Sequence, residues 1–177
     1  FRLEETFGED PVLTTILGVS FMKGMQGESQ NDGKHLYSTL KHFAAYGIPE
    51  AGHNGARANV GMRQLFSDYL PPFKKAVEEG VGTIMTSYNS IDGVPCTSNK
   101  YLLTDVLRDQ WGFKGFVYSD LTSIEGIVGA RVAKDNKEAA VLALKAGLDM
   151  DLGGNAYGKN LKKAFEEGAI TMNEIGR

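Results

Sequence analysis

A fourfold alternation constrains this chain more than any other feature. A short apolar run ends in polar residues, a stretch with helical apolar spacing follows, and the pattern recurs. The runs are Tyr37–Phe43, Gly82–Asn89, Lys114–Asp120 and Gly147–Leu152. Each is bounded by glycine or turn residues, and most are enriched in aromatic or β-branched side chains, as buried parallel strands are. Between them, Leu102, Leu103, Val106 and Leu107 recur at helical spacing until Trp111-Gly112. Asp135 followed by Glu138 predicts a capping box, after which Ala139, Leu142, Ala143 and Ala146 face a sheet and Gly147 ends the helix. A further helix runs through Leu161, Ala164 and Phe165 to Gly168, and Thr171 with Glu174 predicts the cap of another. Upstream, Val12 to Met25 has helix-like spacing with Pro11 near its start. From Val60 to Glu79, Pro71-Pro72 divides a helical pattern into two short helices, the second starting at the prolines.

Strand-helix units in series imply an α/β class with a parallel sheet and right-handed crossovers. Four such strands are half of an eight-stranded barrel, which takes roughly 250 residues when complete. An open doubly wound domain fits 177 residues better, and periodicity does not choose between the two.

Several function classes are disfavoured. With 19 Lys and Arg against 22 Asp and Glu, the formal charge is −3 and no long run of either sign occurs, which argues against a dedicated nucleic-acid surface. No apolar span reaches membrane length, so no transmembrane segment is expected. The chain opens on Phe1 with neither an initiator methionine nor a leader pattern, so a fragment or processed chain is expected. Cys96 is the only cysteine, which excludes an internal disulfide and a multi-cysteine metal cage. With no histidine or other base near it in sequence, it reads as a small packed side chain. There is no HExxH, no Gly-x-Ser-x-Gly elbow, no complete phosphate loop and no dinucleotide fingerprint. His35, His42 and His53 are too dispersed to establish a metal site, so neither metal nor cofactor is expected.

Polar residues recur at the ends of the expected strands: Lys41-His42, Ser87-Tyr88-Asn89, Ser119-Asp120, and Asp149 with Asp151. In a parallel barrel those ends meet on one rim, the usual active-site face. Asp120 is the strongest candidate, because a strand end holds a carboxylate at a fixed distance from a substrate atom. The structural alternative is an aspartate that binds a backbone N–H or caps a helix. Lys41 and His42 can donate hydrogen bonds to a hydroxyl-rich ligand, and a lysine in this position could equally form a Schiff base, as in an aldolase.

Five blocks stand in order along the chain: Arg2 to Pro11, Lys41-His42-Phe43, Tyr69 to Phe73, Met85 to Asn89, and Gly112 to Asp120. In these the chain resembles glycoside hydrolase family 3, particularly its β-glucosidase and β-xylosidase-like members, over nearly its whole length. The resemblance implies a partial (β/α)₈ barrel, approximately the second half. Residues 1–177 would then belong to an N-terminal barrel domain whose earlier strands, and a C-terminal α/β sandwich domain, lie outside the chain. It implies Asp120 as the carboxylate nucleophile of retaining hydrolysis of terminal β-D-glucosidic bonds. Arg2, Lys41 and His42 would hold the sugar hydroxyls, Met85 would line the glycone pocket, and Tyr88 would stand near the nucleophile. The acid/base glutamate would come from the sandwich domain, while Glu9, Asp10 and Glu125 look structural. Where the family often has tryptophan after the nucleophile, this chain has Leu121, so aromatic stacking there is not expected. The implied partners are a β-linked glucoside or oligosaccharide and the remainder of the parent chain, in a periplasmic or secreted parent. A β-xylosidase of the same family and an inactive sugar-binding fragment are the alternatives. Unpaired sheet edges make activity of the 177 residues alone unexpected.

Overall fold

The computed structural model describes residues 3–28 and 33–176. Its main sheet is parallel, with β1 (Thr39–Phe43), β2 (Thr83–Thr86) and β5 (Phe116–Tyr118) side by side in the order β1-β2-β5. The register pairs Thr39 with Thr83, Ile84 with Val117, and Met85 with Tyr118. Between β2 and β5 lies a small antiparallel hairpin, β3 (Ser90–Ile91) and β4 (Val94–Pro95), that sequence spacing did not predict.

The expected fourth strand, Gly147–Leu152, is a correction. It contributes one isolated parallel bridge, Met150 beside Tyr118, at the outer edge of β5. The reason is local: Asp149 Oδ2 accepts the Val117 N–H at 2.7 Å, so a side chain takes a donor that a full ladder would use. The chain still follows the strand path, since Asp149 N donates to Val117 O and Ser119 N donates to Met150 O.

The helices follow the sequence signals more closely. α1 (Pro11–Gln26) starts where Asp10 Oδ1 accepts the Leu13 N–H at 2.7 Å. One turn, Met62–Gln64, runs into a wider π-type segment, Leu65–Tyr69, before α2 (Pro71–Glu78) begins at the prolines. The Tyr101–Gln110 helix is also of π type. It is followed by α3 (Ser123–Gly129), α4 (Asn136–Ala146), α5 (Ala156–Glu166) and α6 (Met172–Ile175). At α4 the Asp135 side chain accepts from Glu138 N, but Glu138 reaches back to Lys134 N. Only half of the expected capping box forms there, whereas the Thr171–Glu174 box is complete.

Strand alternation, with a register shift in β1 between Leu40 and Phe43, divides the sheet into two faces. Phe43, Ile84, Val117 and Leu148 are fully buried on the helix side. There the Phe43 ring meets Phe73 and Trp111 edge-on, at 5.1 and 6.0 Å. On the other face Tyr118 Oη donates to Thr39 Oγ1, which lies 2.6 Å from Thr83 Oγ1. The Phe116 and Tyr118 rings lie 6.2 Å apart, as residues i and i+2 of one strand face do. Arg108 ties helix to sheet: its guanidinium donates to Gly115 O, Gly147 O and, at 2.7 Å, Asp149 Oδ2. This clamp fixes β5 and the Met150 segment, and with them the position of the residues just beyond Tyr118.

Candidate active site

Asp120 lies two residues beyond the end of β5 and is only 8% exposed. Backbone bonds hold it from both sides, because Ser119 N donates to Met150 O and Ser123 N donates to Asp120 O. The next loop is locked to the same point, with Leu152 N donating to Ser119 Oγ and Thr122 N donating to Leu152 O. Asp120 Oδ1 accepts the Leu121 N–H at 2.7 Å. Oδ2 is buried without a hydrogen-bond partner among the described residues, and the nearest basic atom recorded against it is His42 Nε2 at 3.4 Å. Asp151 Oδ1 and Glu125 Oε2 are buried in the same unpartnered state, so what sets Asp120 apart is the histidine that faces it at the strand-end rim.

His42 arrives from β1, at the same end of the sheet. Ser87 N donates to Phe43 O, which fastens this strand end to β2, and Asn89 Nδ2 donates to Ala44 O one residue further on. The Lys41–His42 and Phe43–Ala44 peptide bonds are cis. From the turn after β1, Tyr46 brings its ring to within 4.6 Å of the His42 imidazole, edge to face, and Tyr88 stands 6.1 Å from Tyr46. Tyr88 Oη donates to Leu121 O at 2.8 Å, which carries the circuit back to the residue beside Asp120. Behind it, a buried hydroxyl chain joins Thr86, Thr97 and Ser123, with oxygens 3.0 and 2.8 Å apart.

The structure therefore brings together His42, Asp120 and, through Leu121, Tyr88. Met85 pairs with Tyr118 on β2, on the face shared by Thr83, and Lys41 is exposed one residue before His42. Arg2 lies outside the described residues. Two other polar strand-end groups have different duties. Asp149 is bound to Arg108 and lines a hollow with Gly82, Thr83, Gly115 and Phe116 at the strand starts. Asp151 Oδ2 accepts the N–H groups of Ala156 and Tyr157, so it caps α5. Glu125 Oε1 accepts from Asn155 N beside it. Gly154 lies between these two carboxylates: a Cβ there would stand 2.6 Å from Asp151 Oδ1 and 2.7 Å from both Glu125 oxygens, so a larger residue would push the side-chain ends aside. Among the described residues, no group of three or more metal-ligating side chains is arranged around a common point. Cys96 is fully buried, and burial pushes its thiol up to about 12, so it is not poised as a nucleophile.

Sequence reasoning passed over Tyr46 and the Thr97–Ser123 hydroxyls. The available signal for Tyr46 was its position, an aromatic residue four beyond His42 in a turn.

Parallel strands under helices define an α/β class, and a buried carboxylate and a histidine stand at one strand-end rim, the face where parallel α/β folds carry their sites. Comparison with known proteins gives the family. Residues 2–177 match the glycosyl hydrolase family 3 N-terminal domain. The chain is 42% identical over 174 residues to a periplasmic β-glucosidase of Salmonella typhimurium, covering 98% of this chain and 23% of that protein. It is 44% identical over 167 residues to a β-xylosidase of Formosa agariphila, covering 92% of this chain and 23% of that protein. The crystal structure of a β-glucosidase from Listeria innocua in complex with glucose superposes with a TM-score of 0.95 at 35% identity, over 98% of this chain and 24% of the other. The chain belongs to glycosyl hydrolase family 3, and it spans about a quarter of the length of these relatives.

Proposed function

We propose that this chain carries the nucleophile and part of the sugar-binding wall of a retaining β-glycosidase, acting in the complete parent protein on terminal β-D-glucosidic bonds. The observation that carries the reading is the Asp120 carboxylate, nearly buried at a barrel strand end, with Oδ2 unpartnered among the described residues and His42 Nε2 at 3.4 Å. Ionised Asp120 attacks the anomeric carbon through Oδ2, while Oδ1 stays anchored on Leu121 N. A carboxylic acid outside these residues protonates the departing oxygen, and the same group, now a base, directs water onto the glycosyl-enzyme bond. Two inversions give net retention. The two carboxyl groups would stand about 5–5.5 Å apart, which requires the rest of the parent chain to bring the acid over this rim. His42, Lys41 and Arg2 hold sugar hydroxyls, where cationic or strongly polar donors strengthen bonds that position the ring. Met85 and Tyr88 line the same wall.

Asp120→Asn in the complete protein is expected to lower turnover by on the order of a thousandfold or more, with the fold unchanged by circular dichroism. A 2-deoxy-2-fluoro glucoside is expected to leave a covalent sugar on the peptide containing Asp120, read by mass spectrometry. Near-normal turnover by Asp120→Asn, or label on another residue, rejects the assignment. A β-xylosidase of the same mechanism is the second reading, favoured by the 44% identity to the Formosa agariphila β-xylosidase. The ratio of kcat/KM for aryl β-glucoside and aryl β-xyloside separates the two.

A further inference from the structure

Tyr46 is buried in the turn that follows β1, although a tyrosine in a surface turn needs no burial. Its contacts help define its place. Its ring packs edge to face on the His42 imidazole at 4.6 Å, its hydroxyl donates to Asn54 Oδ1 on the loop beyond, and the Tyr88 ring lies 6.1 Å away. The adjacent residue, Ala45, has φ 59°, a left-handed conformation that costs energy for any residue with a Cβ. This turn therefore holds Tyr46 in one place, and what Tyr46 touches is the ring facing the Asp120 carboxylate.

We propose that Tyr46 is a positioning residue: by packing against His42 it sets the imidazole beside Asp120 Oδ2, at the edge of the space the sugar would occupy. The inference rests on the reading of Asp120 as nucleophile. His42 turns about two side-chain bonds, and its strand-end backbone does not fix the second. The Tyr46 ring restrains it, with Asn54 holding Tyr46 in turn. A misplacement of reacting or orienting groups by about 1 Å costs on the order of 100-fold in rate, so loss of the ring should appear chiefly in kcat.

The test uses the complete parent protein and an aryl β-glucoside. Tyr46→Leu is expected to lower kcat on the order of 100-fold with KM little changed. Tyr46→Phe, which keeps the ring and loses the Asn54 bond, is expected to remain within about fivefold of wild type, as the loss of one hydrogen bond allows. In a His42→Ala background, Tyr46→Leu should cost nothing further, because a residue that acts only through His42 has nothing left to position. Should Tyr46→Leu fail to fold, Asn54→Ala loosens the same ring without emptying the core. Its modest kcat loss must then vanish in the His42→Ala background. Additive losses in the double variant, or wild-type kcat in Tyr46→Leu, overturn the inference. Asp120→Asn, run in parallel, separates the failures: if it remains active the nucleophile reading falls, and if it is inert while Tyr46→Leu is normal, only the positioning role falls.

Discussion

The helix side of the sheet and the outer face of α1 are built from the same kinds of residue and stand in opposite environments. Phe43 has 0% exposure between Phe73 and Trp111, with Leu102, Leu103 and Leu107 buried in the same core. On α1, Val12, Ile16, Leu17 and Phe21 form a stripe at helical spacing, and Phe21 is 63% exposed. The opposite flank of α1 packs on α2 and buries Met22. An apolar stripe of this kind on a helix whose other side is already satisfied marks a surface that receives further protein. Relatives about four times as long supply candidates for that cover. The difference teaches that the helix side of the sheet beneath Asp120 is already buried, while the outer face of α1 stays exposed.

The largest effects should fall on the finished side. Phe43→Ala in the complete protein is expected to cost about 3–5 kcal/mol, as for other large aromatic truncations in cores, and to reduce the soluble yield sharply. On α1 the same kind of change should have opposite signs in two contexts. Phe21→Asp should raise the soluble fraction of the 177-residue chain by breaking the exposed stripe. In the complete protein it should lower the urea midpoint, since burying a phenylalanine side chain is worth about 1.5–3 kcal/mol. A complete protein indifferent to Phe21→Asp would mean that the stripe stays open, and the comparison would break.

A middle-sized effect is expected at the clamp. Arg108→Met removes the donors to Gly115 O, Gly147 O and Asp149, and leaves a half-buried carboxylate that still holds Val117 N. The expected cost is about 2–3 kcal/mol, between that of an exposed pair and that of a buried pair broken on one side. The Met150 segment should loosen first, and faster amide exchange at Asp149 and Ser119 than in wild type would show it. Unchanged exchange there would mean that side-chain packing, and not the guanidinium, holds the outer edge of β5.

How much was legible follows the same division. β1, β2 and β5 were readable because each combines a short apolar run with glycine or turn boundaries, and the proline start of α2 and the Thr171 cap depend only on neighbouring residues. The fourth strand was over-read, since spacing cannot show that Asp149 would turn its carboxylate to Val117 N and Arg108. The hairpin was under-read, although Asp92-Gly93 is a strong two-residue turn signal and both residues have positive φ, 49° and 78°. In the candidate site, the meeting of His42 and Asp120 was legible because they end strands that a parallel sheet brings to one rim. Tyr46 was not, because its contact with His42 exists only once the turn after β1 folds back. Asp151 stands at a strand end and also caps α5 through Oδ2, a duty that no local pattern reveals.

The smallest expected effect lies where α1 meets α2. Glu79 ends α2, and its carboxylate pairs with Lys23 of α1 and, at 2.8 Å, with Lys75. These lysines, Lys23 first, pull the Glu79 carboxyl down from its ordinary 4.5 to about 2. A depressed carboxyl pKa contributes stability that is present above the unfolded value and is lost as pH falls from about 4.5 through about 2. Glu79→Gln should therefore lower the melting temperature slightly at neutral pH, and the gap from wild type should close as pH approaches 2. Because the pair lies at the surface, the neutral-pH gap should also shrink in about 1 M salt, where the screening length falls to about 3 Å. A gap that persists at both low pH and high salt would mean that Glu79 packs the helix junction through its stem and not through its charge. The junction would then belong with the finished core and not with the open face of α1.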